Sequence, residues 1–189
     1  MTDFTLHTPD TAPEGSREAL AAVTKAWGFT PTLHAILAES PVALIAYDTL
    51  FGMIGQTTLT AQEQQVAFLT MTVLSGCEYC TMGHTYLSRA VQLPESEIAA
   101  LREGRLPADA RLAALSRFTG QVIETRGFAG DAAVAAFLAA GFTRANVLEV
   151  VTVIATKVIS TYTNHLAHTP KEAFMSDPAF AWVALTRAA

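Results

Sequence analysis

Charge is scarce in this sequence. Only 15% of its 189 residues are Asp, Glu, Lys or Arg, against 51% hydrophobic, with a mean hydropathy of +0.31. So few charges cover a large apolar surface poorly, so part of that surface is expected to be buried between subunits. Twelve Lys and Arg face seventeen Asp and Glu, for a net charge of -5, and they form no basic run. This excludes the clustered cations that non-specific nucleic-acid binding draws on. A long apolar run is also missing. The stretch from about Val66 to Gly76 falls short of the roughly 20 residues a bilayer crossing needs, and the later run from Val147 is broken by Glu149 and Lys157. The first residues, Met1 to Phe4, lack a basic stretch followed by an apolar one. The expectation is a cytoplasmic protein with neither nucleic acid nor membrane as partner. Cysteine is scarcer still, two residues three positions apart. A secreted disulfide scaffold carries more, more widely spaced, so a lone CxxC points to redox or metal chemistry.

No segment alternates with period two, which predicts an all-α fold. Residues 1–15, with Pro9 and Pro13, read as an arm. Helices are expected from about Ser16 to Trp27, after Thr30-Pro31, and from Ser40-Pro41 to about Ile54. Thr60-Ala61-Gln62-Glu63 has the capping-box pattern and opens a strongly apolar helix to about Leu74. Further helices are expected from about Glu78 to Ala90, from Pro94 to near Gly104, from Pro107 to about Arg126, from Asp131 to Ala140, and from Thr143 to about His165. A tail with Pro170 and Pro178 packs on the body or on a neighbour. Nothing divides the chain, so residues 1–189 read as one domain with a core at about 59–104. Leu59-Thr60 and Phe142-Thr143 each precede a long apolar helix, either as a duplicated hairpin or as two independent caps.

The chemistry concentrates in Ser75-Gly76-Cys77-Glu78-Tyr79-Cys80-Thr81-Met82-Gly83-His84. At about 100° per residue, Cys77, Cys80 and His84 share one helix face. Two cysteines at i, i+3 can form a disulfide. If Gly76 breaks the chain, they sit at a helix N-terminus, where free N–H groups stabilise a thiolate, and His84 lies one turn beyond to exchange protons. Such a set suits a dithiol centre, in which one thiolate attacks and the other resolves. Other readings stay open. Cys77, Cys80 and His84 make three zinc ligands, with His165 or His168 as a fourth, or the cysteines are simply buried. A haem-attachment CxxCH is excluded because Thr81 follows Cys80, and a thioredoxin motif lacks its βαβ setting. No cofactor motif is present. Trp27, Tyr47, Phe51 and Met53 line a pocket or form core.

The stretch Leu59-Thr60-(x)2-Glu63-x-Gln65-(x)11-Cys77-Glu78-Tyr79-Cys80-(x)3-His84 resembles the core of the AhpD-like alkylhydroperoxidase and carboxymuconolactone decarboxylase superfamily. Thr30-Pro31 to Ser40-Pro41 looks like its lead-in helices, and Gly141-Phe142-Thr143 to Thr169-Pro170 like its closing helix. The likeness covers most of residues 30–174. It implies an all-α fold assembling as trimers or hexamers, a small peroxide or disulfide as substrate, and a thiol electron donor. Carried over by position, it implies Cys80 as the attacking thiol, Cys77 as the resolving thiol and His84 in a proton relay. The relay carboxylate of the family falls at Gln65, twelve residues before Cys77, and an amide cannot act as a base near neutral pH. Glu63, two positions earlier, is the candidate substitute, with the capping box as its structural explanation. The superfamily's decarboxylase branch generally lacks the cysteine pair, which leaves a lactone decarboxylase as the alternative reading.

Overall fold

The computed structural model describes residues 4–185, and among these all regular structure is helical. Nine α-helices run in order: α1 Glu14–Trp27, α2 Thr32–Leu37, α3 Pro41–Ile54, α4 Ala61–Leu74, α5 Glu78–Ala90, α6 Glu95–Arg102, α7 Ala110–Glu124, α8 Asp131–Ala139 and α9 Arg144–Ala167. Two 3-10 turns follow, Ala173–Ser176 and Pro178–Phe180. The first three residues of the expected arm lie outside the described region. The rest of it lies along α2, where the His7 N–H donates to the Ala35 carbonyl at 3.1 Å, and it buries Ala12.

The helix starts come from local chemistry. The Ser40 hydroxyl accepts from Ala43 N–H ahead of Pro41, and Asp109 accepts from Arg111 and Leu112 N–H. Thr60 with Glu63 and Thr143 with Asn146 both form complete capping boxes, so the two similar segments share a cap as well as a sequence pattern.

α4 is the central helix. Its residues from Gln65 to Val73 are all buried because α5, α6, α7 and α9 pack around it. One core joins Val66 and Leu69 of α4 to Leu115 and Phe118 of α7, Phe137 of α8, Phe142 and Val150. There Phe118, Phe137 and Phe142 stack in sequence with centroids 4.3 and 4.2 Å apart. A second core joins Leu20, Leu33, Leu37, Leu44 and Tyr47 of the first three helices. Phe68 and Val153 bridge toward α3 at Ile54.

By length and composition α9 is long and apolar enough to cross a membrane. Here it packs on α2, α3, α4, α5 and α7. The tail docks on the body: the Arg102 guanidinium donates to the carbonyls of Ala179 and Phe180, and Trp182 Nε1 donates back to the Arg102 carbonyl at 2.7 Å.

Candidate active site

The site begins at the break between α4 and α5. Gly76 has φ +67°, a left-handed conformation that glycine adopts without penalty. It ends α4 and sets Cys77 as the N-cap of α5, where the Cys77 sulfur accepts from Cys80 N–H at 3.3 Å. The Cα atoms of Cys77 and Cys80 are 5.3 Å apart and their sulfurs are at disulfide distance. Both side chains are buried, yet of the two only Cys80 lines a cavity of about 460 Å³ between α1, α2, α3, α5, α9 and the tail. Cys77 lies behind it.

The sulfurs are contacted from α9. Asn164 Nδ2 is 3.2 Å from the Cys80 sulfur and 3.9 Å from that of Cys77, and Thr161 Oγ1 is 3.5 Å from Cys80. Lys157, Ser160, Thr161 and Asn164 are all buried on α9. Their spacing of i, i+3, i+4, i+7 makes one helix face. Sequence reading noted Lys157 only as an interruption and passed over the other three. The signal was available as a polar stripe at helical spacing inside an otherwise apolar helix.

His84 lies one turn beyond Cys80, buried, and lines the same cavity. Its ring stacks on Phe68 at 4.5 Å and its Nδ1 is 2.9 Å from Gln65 Oε1. A carbonyl oxygen only accepts, so Nδ1 carries the proton and Nε2 is left as the basic nitrogen. Burial, and then the nearby Lys157, hold its pKa well below the ordinary histidine value. The ring makes no hydrogen bond to either sulfur.

Gln65 is thus brought to His84, and Glu63 is not. The Glu63 carboxylate accepts from Thr60 N–H at 2.7 Å and pairs with Arg111 Nε at 2.6 Å. Facing α7 rather than α5, it closes the capping box.

Tyr79, between the cysteines, donates its hydroxyl to Glu172 at 2.6 Å. The same carboxylate oxygen accepts from the Thr32 N–H at 2.6 Å and from its hydroxyl. One acid therefore ties together the N-terminus of α2, the CxxC segment and the tail. Burial and this anion push the Tyr79 hydroxyl pKa up.

Trp27, Tyr47 and Phe51 line the cavity, whereas Met53 is half exposed away from it. His34 lines it too, and burial brings its pKa down to about 4. His165 and His168, the zinc candidates, are exposed at the C-terminal end of α9. Among the described residues no group of three or more His, Cys, Asp or Glu is arranged to hold a metal ion.

Residues 42–119 match the sequence model of the carboxymuconolactone decarboxylase family. No curated protein matches the chain. Solved structures of the same fold include an alkylhydroperoxidase AhpD core, an uncharacterized peroxidase-related protein from Ralstonia eutropha JMP134. It has a TM-score of 0.80 and 16% identity, over 90% of this chain and 92% of that one. An uncharacterized peroxidase-related protein from Silicibacter sp. TM1040 has a TM-score of 0.75 and 16% identity, over 95% and 94% of the two chains. A cysteine-to-alanine variant of the debrominase Bmp8, in complex with 2,3,4-tribromopyrrole, has a TM-score of 0.75 and 13% identity, over 92% of each chain. The chain therefore has the fold of these structures, with residues 42–119 matching the carboxymuconolactone decarboxylase family.

Proposed function

We propose that this protein is a dithiol oxidoreductase that reduces a small peroxide at Cys80. The observation that carries the reading is the cysteine pair at the start of α5, with Cys80 on the cavity wall and Cys77 behind it. In the reduced form, the Cys80 thiolate attacks one peroxide oxygen. The O–O bond breaks, the alcohol leaves with a proton, and Cys80 becomes a sulfenic acid. The Cys77 thiolate then attacks the Cys80 sulfur and expels the hydroxyl group, which leaves as water once protonated. An external thiol donor reduces the resulting disulfide and returns two electrons and two protons. The N–H groups of the first turn of α5 and the Asn164 amide favour the thiolate. His84 Nε2 supplies a base for the thiol proton, with Gln65 fixing its tautomer.

Intact-mass measurement of the reduced protein before and after peroxide tests this. A loss of two hydrogens, reversed by a dithiol, is expected. Retention of both thiols under peroxide overturns the reading.

A second reading, reductive removal of halogen from a small aromatic ring, is favoured by the aromatic walls Trp27, Tyr47 and Phe51 and by the likeness to Bmp8. The same two thiols would supply the electrons, yielding the dehalogenated ring, a hydrogen halide and the disulfide. Halide release without peroxide consumption separates the two. A cysteine-independent decarboxylase would keep its activity when both cysteines are replaced.

Assembly as a homo-oligomer is part of the proposal. Val42 and Ile45 of α3 and Leu148, Val151, Tyr162 and Leu166 of α9 are exposed, on two helices that pack side by side, and such apolar surface favours a partner.

A further inference from the structure

A lysine without an acid lies at the cavity wall. Lys157 is 2% exposed and lines the cavity together with Cys80 and His84. Its amine is 6.0 Å from the centroid of Phe68. The five ion pairs among the described residues all lie elsewhere, and no described carboxylate pairs with Lys157. None of the other ionisable groups around the cavity forms an ion pair with it. His34 and His84 are bases that burial keeps neutral, and the Tyr47 and Tyr79 phenols are raised toward their neutral form. Glu172 lines the cavity as well, but its Oε1 accepts from Thr32 and Tyr79 and it forms no ion pair with Lys157.

A buried ammonium with no partner is costly. Its pKa has accordingly fallen to about 7, so near neutral pH the amine is part charged, and an anion bound beside it favours the charged form. Apart from the amide of Asn164, the remaining walls, including Trp27, Phe51, Leu87 and Met175, are apolar or aromatic. A volume of about 460 Å³ is in the range of pockets that hold small organic ligands.

We propose that this cavity binds a small organic anion, a ring-sized apolar body carrying one carboxylate, with the carboxylate on Lys157 and the body against the aromatic wall beside Cys80. The inference rests on the lysine and the cavity, and stands or falls apart from the redox reading.

Benzoate and its neutral analogue benzamide are the probes, with binding to the disulfide form read by calorimetry. Benzoate is expected to bind at least tenfold more tightly than benzamide. In Lys157→Met and in Lys157→Gln that preference disappears while benzamide binding is kept. Far-ultraviolet circular dichroism and thermal unfolding establish that each variant is folded, and the glutamine variant serves if the methionine variant is not. Equal binding of the two probes, absence of benzoate binding, or a preference that survives both substitutions overturns the proposal. Peroxide oxidation of the reduced wild type, followed by mass in parallel, reports on the redox reading alone. A chain that prefers benzoate but keeps its thiols under peroxide would sink the peroxidase and leave the anion site standing.

Discussion

Asn164 aims its side-chain amide at the Cys80 sulfur across 3.2 Å from a helix 84 residues further along the chain. Its side-chain carbonyl oxygen is buried without a partner, and the contacts of its nitrogen are the two sulfurs. A hydrogen bond to a charged group is worth about 1.5–3 kcal/mol, or about one to two pK units on the group that accepts it. In the reduced protein, Asn164→Leu is therefore expected to raise the titration point of Cys80 by about that much. Thiolate absorbance followed against pH checks it, and an unchanged curve would remove Asn164 from the site's chemistry.

In the proposed reaction, the order of the two thiols follows from their exposure to the cavity. Cys80→Ser is expected to abolish peroxide consumption, with at least a hundredfold loss of rate. Cys77→Ser is expected to react once and stop at a sulfenic acid on Cys80, since the resolving thiol is gone. A sulfenate-trapping reagent with mass detection distinguishes them. Trapping on Cys77 in the Cys80→Ser variant would reverse the assignment.

Glu63 and Gln65 separate a structural acid from a site amide. Glu63→Gln removes the charge that pairs with Arg111 and weakens the capping box. It is expected to cost about 1–3 kcal/mol in denaturant unfolding while leaving the thiol reaction within about twofold. Gln65→Glu puts a carboxylate beside His84 Nδ1, makes the ring more basic, and is expected to speed thiol oxidation at neutral pH by about tenfold. A Glu63→Gln protein that is stable but slow would move the relay back to Glu63.

Two buried bases set opposite ends of the stability profile. Burial lowers the His34 pKa from 6.5 to about 4. Between those values the unfolded chain holds a proton that the folded chain refuses, so stability falls as pH drops from about 6.5 to 4, and His84 adds to the same loss. Lys157 is lowered from 10.5 to about 7. Its unfolded form holds the extra proton between those values, so its contribution to stability rises with pH from about 7 to 10.5. Urea unfolding across pH should show His34→Leu flattening the acid limb. Lys157→Met should remove the alkaline rise and raise stability at pH 7.

Glu172 anchors the tail over the site. Glu172→Ala leaves the Thr32 N–H and the Tyr79 hydroxyl without their acceptor. Hydrogen exchange in residues 171–182 is expected to quicken by tenfold or more, while the amides of α4 stay protected. Unchanged exchange would mean that Arg102 and Trp182 hold the tail by themselves.

Local signals located the helices because caps and breakers act over a few residues. The Ser40, Thr60 and Thr143 caps and the glycine at position 76 mark where α3, α4, α9 and α5 begin. The Cys77–Cys80 proximity was legible for the same reason, since a three-residue offset at a helix N-terminus brings the sulfurs together. The partner of Glu63 was half legible: the cap is local, while Arg111 lies 48 residues away. His84 illustrates the limit. Helical spacing placed it on the cysteine face, whereas its actual hydrogen-bond partner is Gln65 of α4.

The sequence by itself determined an all-helical chain and a cysteine pair at the head of one helix, because turn chemistry and helical period are short-range properties. Only the tertiary structure decided that Thr161 and Asn164 of α9 meet those sulfurs, that Lys157 of the same helix lines the cavity, that Gln65 rather than Glu63 faces His84, and that Cys80 rather than Cys77 faces the cavity. Those relations depend on how whole helices are rotated against one another, and that rotation is set by packing across some 80 residues of chain.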